Sequence, residues 1–283
     1  MPGFLSSYVQ ALLADTGIGL LGGLSVYVIL SVGQLSLGNA AFMAIGAYVA
    51  SMLTVWKGWP LEAALLAGAA AGGITGLIIG FPALRLRGIY LAMATLGFGE
   101  MTRSFFLNVE ATGGAGGFHG MQKVSLLSIW LWTTGILVAV MLLERSRLWL
   151  EFRAVRDDET AAEMAGLDTT RLKLTAFTLS AAIGGIAGGL FAHHQLFIEP
   201  GNFAFEKSVD LVLVAIVGGS EVAAGALAGS LILNLLPEAL RFAANWRLAA
   251  FGALLVLILL VRRQGLLDRR LLEPVLRLFR RHG

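Results

Sequence analysis

Residues Thr16–Trp56 read TGIGLLGGLSVYVILSVGQLSLGNAAFMAIGAYVASMLTVW, without one Asp, Glu, Lys or Arg. A helix needs roughly 20 mostly apolar residues to cross a bilayer. The stretch is long enough for two such helices, with Gly33-Gln34-Leu35-Ser36-Leu37-Gly38-Asn39 as the natural turn between them. Equally charge-free stretches follow at Ala63–Leu84, Val124–Leu143 and Leu174–Ile198. Gly88–Leu107 is interrupted only by Glu100 and Arg103, and Leu211–Pro237 only by Glu221, beside a Gly218-Gly219 break. Leu248–Val261 is short, but Arg247 and Arg262 can snorkel to the interfaces. The chain therefore reads as an all-α polytopic integral membrane protein, one transmembrane domain over residues 1–283. About nine spans (eight to ten) are expected, roughly at 17–33, 37–56, 61–81, 88–107, 127–143, 174–197, 208–219, 224–240 and 247–262. Several are short enough to be broken or re-entrant.

Composition agrees. Only 14% of the 283 residues are charged, against about a quarter in soluble domains, and mean hydropathy is +0.79. That excludes disorder and argues against a water-soluble enzyme. Cys is absent, which removes disulfides and thiolate metal sites. Among four His, only the adjacent pair His193-His194 is clustered, and an interfacial role suits it better than a metal.

The basic residues orient the chain. Arg85, Arg87, Arg145, Arg147, Arg153, Arg156, Arg171, Lys173 and seven Arg after Val261 fall on one set of loops. Lys57, Lys123, Lys207, Arg241 and Arg247 fall on the other, so fifteen stand against five. By the positive-inside rule the richer set is cytoplasmic, with the N-terminus outside and the C-terminus inside. No Lys or Arg precedes Lys57, so the first apolar segment is expected to be a retained helix rather than a signal peptide. The basic tail, about 262–283, would lie near anionic lipid; nucleic acid is not an expected partner.

Gly68/Gly72, Gly184/Gly188, Gly185/Gly189 and Gly225/Gly229 each match G-x-x-x-G, a spacing that lets helices approach closely. Val32-Gly33 then Gly38 is weakly echoed by Val217-Gly218 then Gly225. Glu100 and Arg103 share a helix face at i, i+3, either as an ion pair near an interface or as polar lining of a substrate path. Gln34, Ser36 and Asn39 either line the same path or cap a turn. Asp210 and Glu221 read as hydrated groups near helix ends. The Thr112-Gly113-Gly114-Ala115-Gly116-Gly117 run is no phosphate cradle, because no Gly-Lys dipeptide occurs. No Gly-x-Ser-x-Gly or His-Glu-x-x-His is present, so no catalytic residue is assigned.

The longest basic loop, about 144–173, carries a short helix from Asp158 to Ala165. Thr160-x-x-Glu163 reads as its capping box, with Asp157 and Asp158 near the helix N-terminus. Gly166 is the expected stop, and Asp168 or Thr169 caps the next helix. Small residues Ala161, Ala162 and Ala165 would permit close docking of another protein, and Arg156, Asp157, Asp158, Glu159 and Glu163 would orient it.

Here the chain resembles the permeases of branched-chain amino-acid ABC importers, most of all the LivM type. The Arg153-Ala-Val-Arg-Asp-Asp-Glu-Thr-Ala-Ala-Glu-Met-Ala-Gly-Leu-Asp168 loop is similar to that family's ATPase coupling loop, with Thr160 in place of a Glu. The segments 33–48, 85–100 and 112–117, Pro237-Glu238 and Arg263-Gln-Gly-Leu-Leu267 resemble the family in order, Arg263 standing where Pro is frequent. The resemblance implies a non-catalytic permease of a bacterial or archaeal cytoplasmic membrane, working by alternating access. It implies two ABC ATPase subunits, a second homologous permease and an extracytoplasmic binding protein as partners. ATP and magnesium are then held by the ATPases, with no cofactor or metal on this chain. Permeases for urea or short-chain amides share these motifs, and a secondary transporter or channel would show similar spans.

Overall fold

A computed structural model of the chain describes residues 2–86, 88–219, 221–239 and Gly252. The described helices are α1 (Pro2–Leu30), α2 (Asn39–Lys57), α3 (Leu61–Ala83), α4 (Ile89–Asn108), α5 (Leu126–Glu144), α6 (Arg147–Asp157), α7 (Glu159–Met164), α8 (Thr169–Gln195), α9 (Phe205–Gly218) and α10 (Ala223–Ala239). One two-residue antiparallel pair joins two loops, β1 (Phe118–His119) and β2 (Phe197–Ile198), with Phe118 opposite Ile198. The protein is an all-α polytopic membrane protein.

Five described helices are long and apolar enough to cross a membrane: Ser7–Leu30 of α1, then α2, α3, α5 and α8. α9 and α10 form a sixth candidate as a pair bent by 118°. The expected spans 208–219 and 224–240 are thus two arms of one bent element. α4 has the length, but with Glu100 and Arg103 it is not among the five. The candidate span 247–262, Arg241, Arg247, the tail at 262–283, the side chains of Pro237-Glu238 and the Arg263–Leu267 motif lie outside the described residues. The first helix begins earlier than the expected 17, so Asp15 sits within α1.

Glycine builds the centre. α2, α3 and α8 approach so closely that a Cβ on Gly185 would collide with the Gly68 carbonyl, and one on Gly72 would lie 2.6 Å from the Ala181 oxygen. This is the close packing that the G-x-x-x-G spacings allow. α1 runs through the middle, 78% of its most apolar window buried, against 17% for α5. Ile74, Ile78, Leu127, Leu131 and Met93 are exposed, the apolar surface that a bilayer or another subunit covers.

The turn after α1 falls where the sequence places it. Ser31–Gly38 is non-helical, and Gly33 takes φ +74°, a left-handed value open to glycine. The α9–α10 bend repeats the device with Gly219 at φ +119°. The weak sequence echo between the two regions therefore marks two helix breaks.

Candidate functional site

The loop after α5 holds two helices where the sequence reading gives one. Ser146 caps α6, its Oγ accepting from the Trp149 amide. Trp149, Phe152 and Val155, spaced by three, are all buried. They join a cluster with Tyr27, Val28 and Val32 of α1, Ala162 of α7, Leu172 of α8 and Ala223 and Ala226 of α10. Tyr27 stacks on Trp149 with ring centroids 5.5 Å apart.

α7 is fixed at both ends, by other residues than a Thr160–Glu163 box. Asp158 is the cap, its Oδ1 accepting from the Ala161 amide at 3.0 Å, so the helix starts before Thr160. Glu163 instead accepts from the Thr169 hydroxyl at 2.8 Å. Gly166, at φ +86°, ends the helix: its amide donates to the Glu163 carbonyl and that of Leu167 to the Ala162 carbonyl. Asp168 caps α8 through the Arg171 amide. Arg156 and Asp157 approach at 3.6 Å. Lys173, buried on α8, reaches Glu159 at 2.6 Å and ties α7 to the bundle.

One expected docking residue needs correction. Ala162 is 4% exposed and packs inward, so it does not present itself to a partner. The outer face of α7 carries Thr160, Ala161, Met164 and Ala165, with Met164 86% exposed.

α6 lies against both helix breaks. A Cβ on Gly33 would sit 3.3 Å from the Arg156 Cα, and the Arg153 guanidinium donates to the Glu221 carbonyl at 3.3 Å. Glu144, at the end of α5, accepts from the Tyr27 hydroxyl and from the Ala223 amide, the latter at 2.7 Å. The start of α10 is thereby held by α5, α6 and α1 together.

The predicted path residues divide. Gln34, Ser36 and Asn39 are buried at the start of α2. Ser36 Oγ accepts from the Gly38 amide at 3.1 Å, the turn-capping role. Asn39 does not cap: it is the first residue of α2, and its Nδ2 donates to Ser25 at 2.9 Å and Ser180 at 3.0 Å. The Oε1 of Gln34, the Oδ1 of Asn39 and the hydroxyl of Tyr48 are buried without a hydrogen-bond partner among the described residues. Glu100 and Arg103 do pair, at 2.8 Å, but their side chains are 44% and 36% exposed. Phe98 and Phe106 are buried against Phe42 and Tyr48 of α2, and Thr95 accepts from the Leu37 amide in the turn before it; the ion pair takes a half-exposed flank.

The end opposite α6–α7 holds His193-His194 and Asp210, read from the sequence as interfacial and hydrated groups, together with Asp15 and Lys207, to which that reading gave no site role. There Val124 donates to the His193 carbonyl, and His193 meets Thr54 at 3.0 Å and the Gly189 carbonyl at 2.8 Å. His194 lies 3.6 Å from Asp15. Asp15, Lys207 and Asp210 border one cavity between α1, α8, α9 and α10. A charge at the centre of a span costs roughly 2.5–3.5 kcal/mol on the insertion scale, and ionisable groups inside spans mark function by default. The signal available was Asp15 itself, just before the charge-free stretch. Among the described residues no group of three His, Asp or Glu could hold a metal ion.

The family model for the permease component of branched-chain amino acid transport systems matches residues 8–261. The chain is 35% identical to the high-affinity branched-chain amino acid permease protein LivM of Salmonella typhimurium and 34% identical to LivM of Escherichia coli K12, each over 87% of this chain. It spans 66% of the length of either protein. It is also 32% identical to LivH of E. coli K12, over 52% of this chain and 48% of that one. No solved structure matches the chain.

Proposed function

The chain belongs to the family of branched-chain amino acid transport permeases, and from that premise we propose that it is one membrane subunit of an ATP-driven importer of hydrophobic amino acids. The α6–α7 unit carries the reading. It is short, capped at both ends and packed through Trp149, Phe152 and Val155 onto α1 and α10. A rigid element transmits a displacement that a loose loop would absorb. Its exposed tip at Met164 would enter a groove of an ATPase subunit, as helices commonly do. Its other side bears on the Gly33 and Gly219–Val222 breaks, so closure of the ATPases would reach the helices that flank the path.

In this reading α6 and α7 face the cytoplasm, in keeping with Arg145, Arg147, Arg153, Arg156, Arg171 and Lys173, and the N-terminus lies outside a cytoplasmic membrane. The LivH likeness supports a second, homologous permease as partner. Two ATPases would hold ATP and magnesium, and a binding protein would deliver substrate. The chain itself makes no covalent change to substrate. The buried polar groups Gln34, Ser36 and Asn39 would line the path, with Glu100 and Arg103 at its flank.

The test is reconstitution of the full complex with ATP and L-leucine, L-valine, urea or acetamide. ATP-dependent uptake of the amino acids is expected. Met164→Arg should abolish uptake and substrate-stimulated ATP hydrolysis together while leaving membrane insertion intact. Wild-type coupling in that variant removes α7 as the docking element. Uptake of urea or acetamide but not leucine overturns the substrate assignment.

A further inference from the structure

The cavity between α1, α8, α9 and α10 has a volume of about 410 Å³, within the roughly 300–1,000 Å³ of small-molecule sites. One wall is apolar, with Ile18, Leu211, Val214 and Leu233. The rest of the lining holds charges of both signs, Asp15, Lys207 and Asp210, beside the neutral amides Gln195 and Asn234. Lys207 rides over the Phe191 ring, 5.2 Å from its centroid, a placement that steadies an ammonium without neutralising it. Among the described residues, neither Lys207 nor Asp210 makes an ion pair. Asp15 makes one ion pair among the described residues, with His194 at 3.6 Å. Charges of opposite sign that share a cavity without closing on each other leave room for a ligand that bears both.

We infer that this cavity binds a free α-amino acid as its zwitterion, with Lys207 meeting the carboxylate, Asp15 and Asp210 meeting the ammonium, and the side chain lying on Leu211, Val214 and Leu233. The inference rests on the amino-acid reading above and adds a place within the chain for the substrate, on the side opposite α6–α7. A branched alkyl side chain suits the apolar wall of Ile18, Leu211, Val214 and Leu233. A metal ion is a poorer match, because Lys207 stands among the carboxylates. A neutral amide would leave both charge types unused.

The chain has no Cys, so a single cysteine is a clean reporter. Gln195 lines the cavity and is exposed. In the assembled complex, Gln195→Cys is modified by a cationic methanethiosulfonate, and the rate is read on this chain by mass spectrometry. L-Leucine at about ten times its half-protecting concentration should slow modification about tenfold, because protection follows occupancy. Leucinamide, which lacks the carboxylate, and 4-methylpentanoate, which lacks the ammonium, should each protect far less. Lys207→Met should remove protection by leucine and Lys207→Arg should keep it; Asp15→Asn with Asp210→Asn should also remove it. Protection is read as the ratio of rates with and without ligand for each variant, and an unchanged unfolding temperature of the complex in detergent shows that each variant keeps the fold.

Equal protection by 4-methylpentanoate, or protection that survives Lys207→Met, overturns the inference. Uptake of leucine without protection overturns the site and leaves the transport reading standing. Protection without uptake upholds the site and overturns the transport reading. Absence of both overturns both.

Discussion

The two ends of the bundle are built on opposite rules. At the α6–α7 end, polar groups are interlocked: Glu144 with Tyr27 and the Ala223 amide, Arg153 with the Glu221 carbonyl, Lys173 with Glu159, Glu163 with Thr169. At the opposite end, His193 bonds Thr54 and His194 pairs with Asp15, but Lys207 and Asp210 border the cavity without making an ion pair among the described residues. An interlocked end resists local deformation and passes force on. An end with unspent charge can take a ligand. The difference teaches that similar charged residues in one membrane chain carry different roles, decided by whether their partners are supplied by the fold.

Four substitutions at three sites can break or sharpen that contrast, each read as a shift in the thermal unfolding of the complex in detergent. Glu144→Ala should have the largest effect, about 2–4 kcal/mol, because it strands the Ala223 amide and leaves the buried Tyr27 hydroxyl only its longer contact with the Glu221 carbonyl, at 3.3 Å. Glu144→Gln, which keeps an acceptor oxygen, should recover part of it. Gly166→Val comes next, at about 1–2 kcal/mol, since φ +86° is strained for a β-branched residue although nothing crowds the site. Its effect should show in substrate-stimulated ATP hydrolysis as well as in unfolding. Asp210→Asn should be smallest, within about 0.5 kcal/mol, because no described group depends on that carboxylate for an ion pair. A loss at Asp210 as large as that at Glu144 would erase the distinction between the ends.

Much of the fold was legible in the sequence. Charge-free runs located α1, α2, α3, α5 and α8, and clustered glycines marked the α2–α3–α8 contacts and both breaks. The Gly166 stop and the Asp168 cap are local effects, so local pattern sufficed. α6 was not read, because Arg147, Arg153 and Arg156 masked the three-residue spacing of Trp149, Phe152 and Val155. The inward turn of Ala162 depends on where α7 starts, which Asp158 decides over Thr160. Lys207 and Asp210 are neighbours at i, i+3 on α9, but Asp15 comes from the far end of the chain, and only the packing of α1 against α9 brings it to them. Spacing along a sequence carries no trace of such a meeting. The half-exposed flank taken by Glu100 and Arg103 is equally a matter of which face α4 turns to α2.

The position of α6 beside both the Gly33 turn and the Glu221 carbonyl has a kinematic consequence. A stiff bar resting on two hinges offers them one coordinate between them. The two kinks cannot then relax separately, each at its own pace. Any tilt of the bar that straightens one must load the other, and the doubled break behaves as a single switch with two blades.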